Sequence, residues 1–204
     1  MLSLDHIAIA TTALAAGTAD VEAAFGLPLA NGGVHPHMGT HNRLLSLGPD
    51  EYLEVIAIDP EGTAPNQPRW FDLDNFDGPA RCTNWICRVP DLDLALQAAP
   101  QGAGRPWDLA RGDLSWRMAI PTDGKLPFGG LFPALIQWNG TAHPAPRLAD
   151  AGVRLSALHL ISPDADALQA TLAPLIDDPR LVIVAGDTPA IRATFATPSG
   201  PVTL

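Results

Sequence analysis

Residues 32–60 read GGVHPHMGTHNRLLSLGPDEYLEVIAIDP. Two apolar-rich runs, Leu44–Leu47 and Tyr52–Ile58, flank Gly48-Pro49-Asp50, which is the punctuation of a β-hairpin. Glu54 sits inside the second run between Leu53 and Val55. A carboxylate in such company must be hydrogen-bonded, paired or metal-bound. Upstream, His6 is embedded in the same way in Leu4-Asp5-His6-Ile7-Ala8-Ile9-Ala10. The stretch opens on a glycine pair and carries His35, His37 and His41, a spacing that suits a loop contacting a ligand as well as it suits a plain turn.

Working outward, Ile7 and Ile9 mark a first strand, and Thr11 or Thr12 can cap a helix with Leu14, Val21 and Phe25 on one face and Gly26 at its end. Asn31–His37 reads as a further strand with Pro36 at an edge. Residues 1–58 thus spell β-α-β-β-β. A connector rich in Pro, Gly and Asp follows over residues 59–81, and its Trp70, Phe71 and Phe76 predict that it packs down. The pattern restarts at Thr83–Val89 for a second module over residues 82–149, and again at Leu155–Ile161 for a third over residues 150–204. The reading is an α+β protein built from a repeated unit.

Composition sets the outer limits. The chain of 204 residues is 47% hydrophobic and 17% charged, enough for a true core. Its formal charge of −10 disfavours nucleic acid and anionic membrane as partners. The start MLSLDHIAIA has no basic residue and is interrupted by Asp5 and His6, unlike a secretory signal, so a cytoplasmic location is expected. Cys82 and Cys87 read as buried thiols. No phosphate-binding glycine loop, nucleophile elbow or H-E-x-x-H run occurs.

LDHIAIA, GGVHPHMGTHN and YLEVIAIDP resemble the opening module of the vicinal oxygen chelate superfamily, and within it the glyoxalase-like domain proteins. TNWICRVPDLD, LSWRMAIP and LIQWNG resemble its second module. The resemblance implies that the first two modules pair into a curled sheet around a cavity. It also implies a divalent cofactor (zinc, nickel, iron or manganese) held by one ligand from the first strand and one from the last strand of each module. Module one offers His6 and Glu54 as metal ligands or catalytic groups, and Glu54 alone can serve as a general base. At the corresponding places module two has Trp85 and Gln137, which leaves the metal site incomplete. Module three has His159 and Thr203, so pairing one with three would give three ligands. Neighbouring repeats normally pair, which favours one with two.

His37, His41, Asn42, Trp85, Trp116 and Gln137 are the candidate substrate contacts, and His143 reads as a solvated loop residue. The resemblance implies a metal-dependent lyase, isomerase or dioxygenase acting on a small oxygenated molecule. The alternative is a metal-free protein that binds and sequesters such a molecule. A third module of about 50 residues buries too little surface to stand alone, which points to a homodimer formed through it.

Overall fold

The alternation around Gly48 folds as a hairpin in a computed structural model that describes all 204 residues. Module one runs β1 (Ser3–Ala10), α1 (Leu14–Phe25), β2 (Ala30–His35), β3 (Thr40–Ser46) and β4 (Tyr52–Ile58). Module two repeats it with β5 (Arg81–Arg88), α2 (Leu92–Ala98), β6 (Arg105–Arg111), β7 (Leu114–Ile120) and β8 (Ala134–Trp138). In each, the last strand returns parallel to the first. β1 and β5 then pair antiparallel, giving one eight-stranded sheet in the order β2-β3-β4-β1-β5-β8-β7-β6. The order reads the same outward from the β1–β5 seam in both directions, as an approximate two-fold requires. Its two edges, β2 and β6, curl far enough to touch. Modules one and two are therefore the pair.

Local chemistry explains the helices. Leu14, Gly17, Val21 and Phe25 form the buried stripe of α1, and Gly26 ends it in the left-handed conformation (φ 65°) that glycine tolerates. Neither threonine caps it: Ala13 is the N-cap, and the Thr11 hydroxyl turns to the Ala13 carbonyl instead. Asp91 caps α2 by accepting from the Leu94 N–H at 2.9 Å.

The third segment keeps the element order, β9 (Arg154–Ser162), α3 (Ala165–Leu172), β10 (Leu181–Ala185), β11 (Ala190–Thr197) and β12 (Gly200–Thr203). Its strand order differs. The sheet runs β10-β9-β11-β12, so here the strand after the helix pairs parallel with the first strand. The kinship of residues 150–204 with the other modules stops at the order of elements.

This small sheet packs on its own chain. Leu155, Leu158, Leu160, Ala193 and Phe195 merge with Ile7, Trp85, Cys87 and Leu135 in one core of 32 buried residues on the convex side of the large sheet. Phe195 meets Phe25 edge-on at 5.2 Å, and the Leu2 N–H donates to the Leu175 carbonyl at 2.8 Å. Arg180 donates to both carboxylate oxygens of Glu51, at 2.8 and 2.7 Å. The third module thus finds a packing partner within its own chain, and His159 stays away from His6, on the face of β9 turned from this core.

The concave side has a second core of 16 buried residues, among them Ile56, Ile86, Trp116, Met118 and Ile136. The connector lies across it: the segment Trp70–Asn75, two turns joined by a kink at Phe71 and Asp72, lowers Trp70, Phe71 and Leu73 into this core.

Candidate active site on the concave floor

A β-bulge creates the site's deepest group. Leu4 pairs with Cys87 and His6 with Ile86, so Asp5 is an extra residue in β1. The bulge lets Asp5 and His6 reach the same side, where simple alternation would part them. Asp5 is completely buried. Its carboxylate accepts from His6 Nδ1 at 2.7 Å, from Trp138 Nε1 at 3.0 Å and from His143 Nε2 at 3.0 Å. Burial alone would push this carboxyl up, but the hydrogen bonds from His143 and His6 outweigh it and hold Asp5 well below the usual carboxylate range.

With Nδ1–H committed to Asp5, His6 turns Nε2 toward Glu54 Oε2, 3.6 Å away. The imidazole is steadied by stacking on Tyr52, ring centres 4.4 Å apart. The separation lies within the roughly 5 Å expected of groups sharing a proton, ion or water. The other oxygen of Glu54 accepts from Asn42 Nδ2 at 2.5 Å. Asn42 Oδ1 in turn accepts from Gly33 N at 2.7 Å and Arg111 Nη1 at 3.3 Å. Arg111 also donates to His35 Nε2 at 3.0 Å, which leaves the His35 Nδ1–H for the Thr40 hydroxyl at 3.0 Å. Burial, with the Arg111 charge beside it, pushes His35 down to about 3, so this imidazole is neutral at ordinary pH.

The result is one polar chain, Asp5–His6–Glu54–Asn42–Arg111–His35, across the floor of a half-barrel. Trp70, Trp116, Trp138, Met118 and Ile136 wall it, and the space at its centre is about 30 Å³. The glycine pair explains how the chain fits. A side chain at Gly32 would come within 2.0 Å of Asn42 Oδ1, and one at Gly33 within 2.8 Å of Arg111 Cδ. These glycines serve close approach of the site's own side chains.

Of the residues singled out from sequence, His6, Glu54, Asn42 and Trp116 meet on this floor. Four others do not. Trp85 points to the convex side, where it is 1% exposed and donates from Nε1 to the Leu131 carbonyl at 2.8 Å. Gln137 also points outward and accepts from the Leu92 N–H at the start of α2. His37 is exposed at the β2–β3 turn, and His41 lies on the other face of β3, 4.0 Å from Asp59. His143 is not a solvated loop residue, since it donates to buried Asp5. His35, read from sequence as one of a histidine loop, reaches this floor, where Asp5, Tyr52 and Arg111 join without having been candidates. The signal available for Arg111 was Gly32-Gly33, a mark of close approach on the neighbouring strand.

The inward places of module two are held by Asn84, Ile86, Ile136 and Trp138, none of which is an anionic or imidazole ligand. No group of three or more His, Cys, Asp or Glu side chains is arranged so that it could hold a metal ion. His35 Nε2 is already engaged by a cationic guanidinium. His6 and Glu54 together offer two donors, so this donor set does not fit the four-ligand divalent centre that the resemblance implies.

Two paired β-α-β-β-β modules curled around a floor that carries a first-strand imidazole and a last-strand carboxylate define the vicinal oxygen chelate class. The chain belongs to the glyoxalase-like domain family, whose model matches residues 4–176. Among solved structures it is similar to a hypothetical protein from Staphylococcus aureus, with a TM-score of 0.66 at 12% identity over 93% of this chain and 88% of that one. Methylmalonyl-CoA epimerases from Streptomyces coelicolor (17% identity, 70% of this chain, 100% of that one) and Mycobacterium tuberculosis (19%, 68% and 88%) each give a TM-score of 0.45. No curated protein matches in sequence. No helix is long and apolar enough to cross a membrane.

Proposed function

We propose that the chain is an enzyme that moves a proton on a small carboxylate or carbonyl compound without drawing on a four-ligand metal centre. The observation that carries this reading is the placement of Glu54 between His6 and Asn42, with the Arg111 guanidinium on the far side of the same Asn42 amide.

Glu54 takes a proton from the carbon beside the carbonyl; the C–H electron pair forms a C=C bond as the carbonyl π pair moves onto oxygen. Arg111 supplies positive charge for the oxygen as it becomes anionic. His6 relays the proton: its Nδ1–H is fixed by Asp5, which leaves Nε2 to exchange with Glu54. Return of the proton to carbon regenerates the carboxylate. Removing the aromatic walls from water strengthens each of these interactions.

The test is exchange of the substrate's C–H in D₂O, followed by proton NMR over a panel of 2-oxo and 2-hydroxy acids. At least one acid should exchange with the wild-type protein, and Glu54→Gln should slow that exchange about 100-fold or more. Elemental analysis should find well under one equivalent of zinc, nickel, iron or manganese. Exchange that survives Glu54→Gln would refute the assignment of the base, and a stoichiometric metal would refute the metal-free site. Saturable binding of an acid without exchange would favour sequestration, a reading supported by the small, walled cavity. The partners proposed are a small anionic molecule and a second copy of the chain.

A further inference from the structure

Beside the floor lies a larger cavity of about 400 Å³, and the proton-transfer reading does not use it. It is enclosed by the connector, the start of β5, the loop Gly124–Leu131 and the third sheet, with Phe71, Phe76, Leu126, Leu131 and Ile191 as its apolar walls. Phe71 also walls the site around Glu54, so the two spaces adjoin at this residue.

Two residues of this cavity's lining each carry a buried polar atom without a partner. Asn84 is 3% exposed and its Oδ1 makes no hydrogen bond, and neither does Thr83 Oγ1. Leaving a buried amide oxygen unpaired costs about 1–3 kcal/mol, and such orphans call for a reason. The sheet register says where Asn84 stands. It pairs with Ala8 across the seam, and Ala8 pairs with Glu54. Asn84, Ala8 and Glu54 therefore form one row on the concave face, with Asn84 two strand spacings, about 10 Å, from Glu54. The residue between them is the smallest side chain available. Phe71, itself held in the left-handed region at φ 61°, is the residue that lines both spaces.

We propose that this cavity takes the body of the substrate whose head lies on the Glu54 floor, an apolar ring or chain joined through a carboxamide to a small carboxylate. The carboxamide N–H is the donor that the unpaired Asn84 Oδ1 lacks, and the apolar walls take the ring. The inference rests on the function proposed above for the head group. Cys82, also in the lining, is no nucleophile: burial pushes its thiol up to about 12. The cavity serves for recognition, not for covalent chemistry.

The experiment uses the full chain and three probes, benzamide for the body, acetate for the head and hippurate for both, with affinities from calorimetry. Hippurate should bind at least tenfold more tightly than either fragment. Asn84→Leu should weaken benzamide and hippurate at least tenfold, leave acetate unchanged and raise the melting temperature, because it removes an unpaired buried amide. Arg111→Met should weaken acetate and hippurate and leave benzamide unchanged. In the wild-type protein, nuclear Overhauser contacts should join the benzamide ring to Phe71 and Phe76, a readout independent of any variant. No binding of benzamide, benzamide affinity indifferent to Asn84→Leu, or hippurate no tighter than its fragments would each overturn the proposal. Loss of the acetate arm alone, with the benzamide arm intact, would overturn the head-group reading and support the cavity as a separate binding site.

Discussion

His35 shows how one side chain links the site to the stability of the whole chain. The folded protein keeps it neutral down to about pH 3, whereas the unfolded chain protonates it near its ordinary value of 6.5. As pH falls below 6.5 the unfolded state takes up a proton that the folded state refuses, so the contribution of His35 to stability is lost between pH 6.5 and about 3. From pH 7 to 5 this amounts to about 2 kcal/mol. Asp5 does not interfere. Its carboxyl is held down, so its contribution stays intact above the ordinary carboxylate range and is lost only below it. We expect the melting temperature of the wild-type protein to fall by about 5 °C more than that of His35→Gln across that interval, as read by circular dichroism. Parallel curves would show that the imidazole already carries a proton in the folded state. At this scale the sequence was readable for His6 and Glu54, because each stands alone among apolar neighbours. It was silent on Asp5, whose inward turn depends on a bulge, and on Arg111, whose role depends on two sheet edges meeting.

Strands show where pattern reading stops. In β3, Asn42, a candidate substrate contact from sequence, pairs with Ile56 beside Glu54 and reaches the floor. β5 is buried on both faces from Asn84 to Cys87, and nothing in TNWICR tells which of Asn84 and Trp85 faces the cavity. A slip of one residue exchanges every side chain of a strand between faces. One such slip in β5 and another in β8 would put Trp85 and Gln137 in the cavity and leave Asn84 out of it. The β2 edge is better defined. Its glycines leave room for Arg111, so Gly33→Ala should push the guanidinium off His35 and Asn42 while the hairpin still forms. We expect unchanged circular dichroism with acetate affinity reduced about tenfold, measured by calorimetry. Unchanged affinity would mean that Arg111 reaches the floor by another path.

For the whole molecule, the order of modules and the pairing of the first two were legible from repeated patterns, while the place of the third was not. Its docking depends on which face of the large sheet stays open between α1 and α2, a question of three-dimensional width. Docking also leaves β10 as an open edge reading LVIVA, with Val182 and Val184 each 37% exposed. An apolar edge without proline or charge pairs readily with another copy. Antiparallel β10–β10 contact is the expected route to the homodimer. Light scattering should give twice the 21.4 kDa chain mass at micromolar concentration, and Val182→Lys should return it to one. A wild-type monomer at every concentration would reject the dimer.

The position of the third sheet also governs the order of events during synthesis. The strands bearing Ile7, Trp85 and Leu135 emerge from the ribosome well before β9–β11, the strands that cover them. At about 5–20 residues per second, the nascent chain carries a bare apolar surface for several seconds. A chain stopped after Asp150 would never lose that surface. It should collect in the pellet on expression, and co-expressed residues 151–204 should bring it back into solution. A soluble, monodisperse truncation would show that the small sheet is an addition, not a needed cover. Pelleting of the truncation and its rescue by residues 151–204 would instead make that last quarter an attached chaperone whose release never comes.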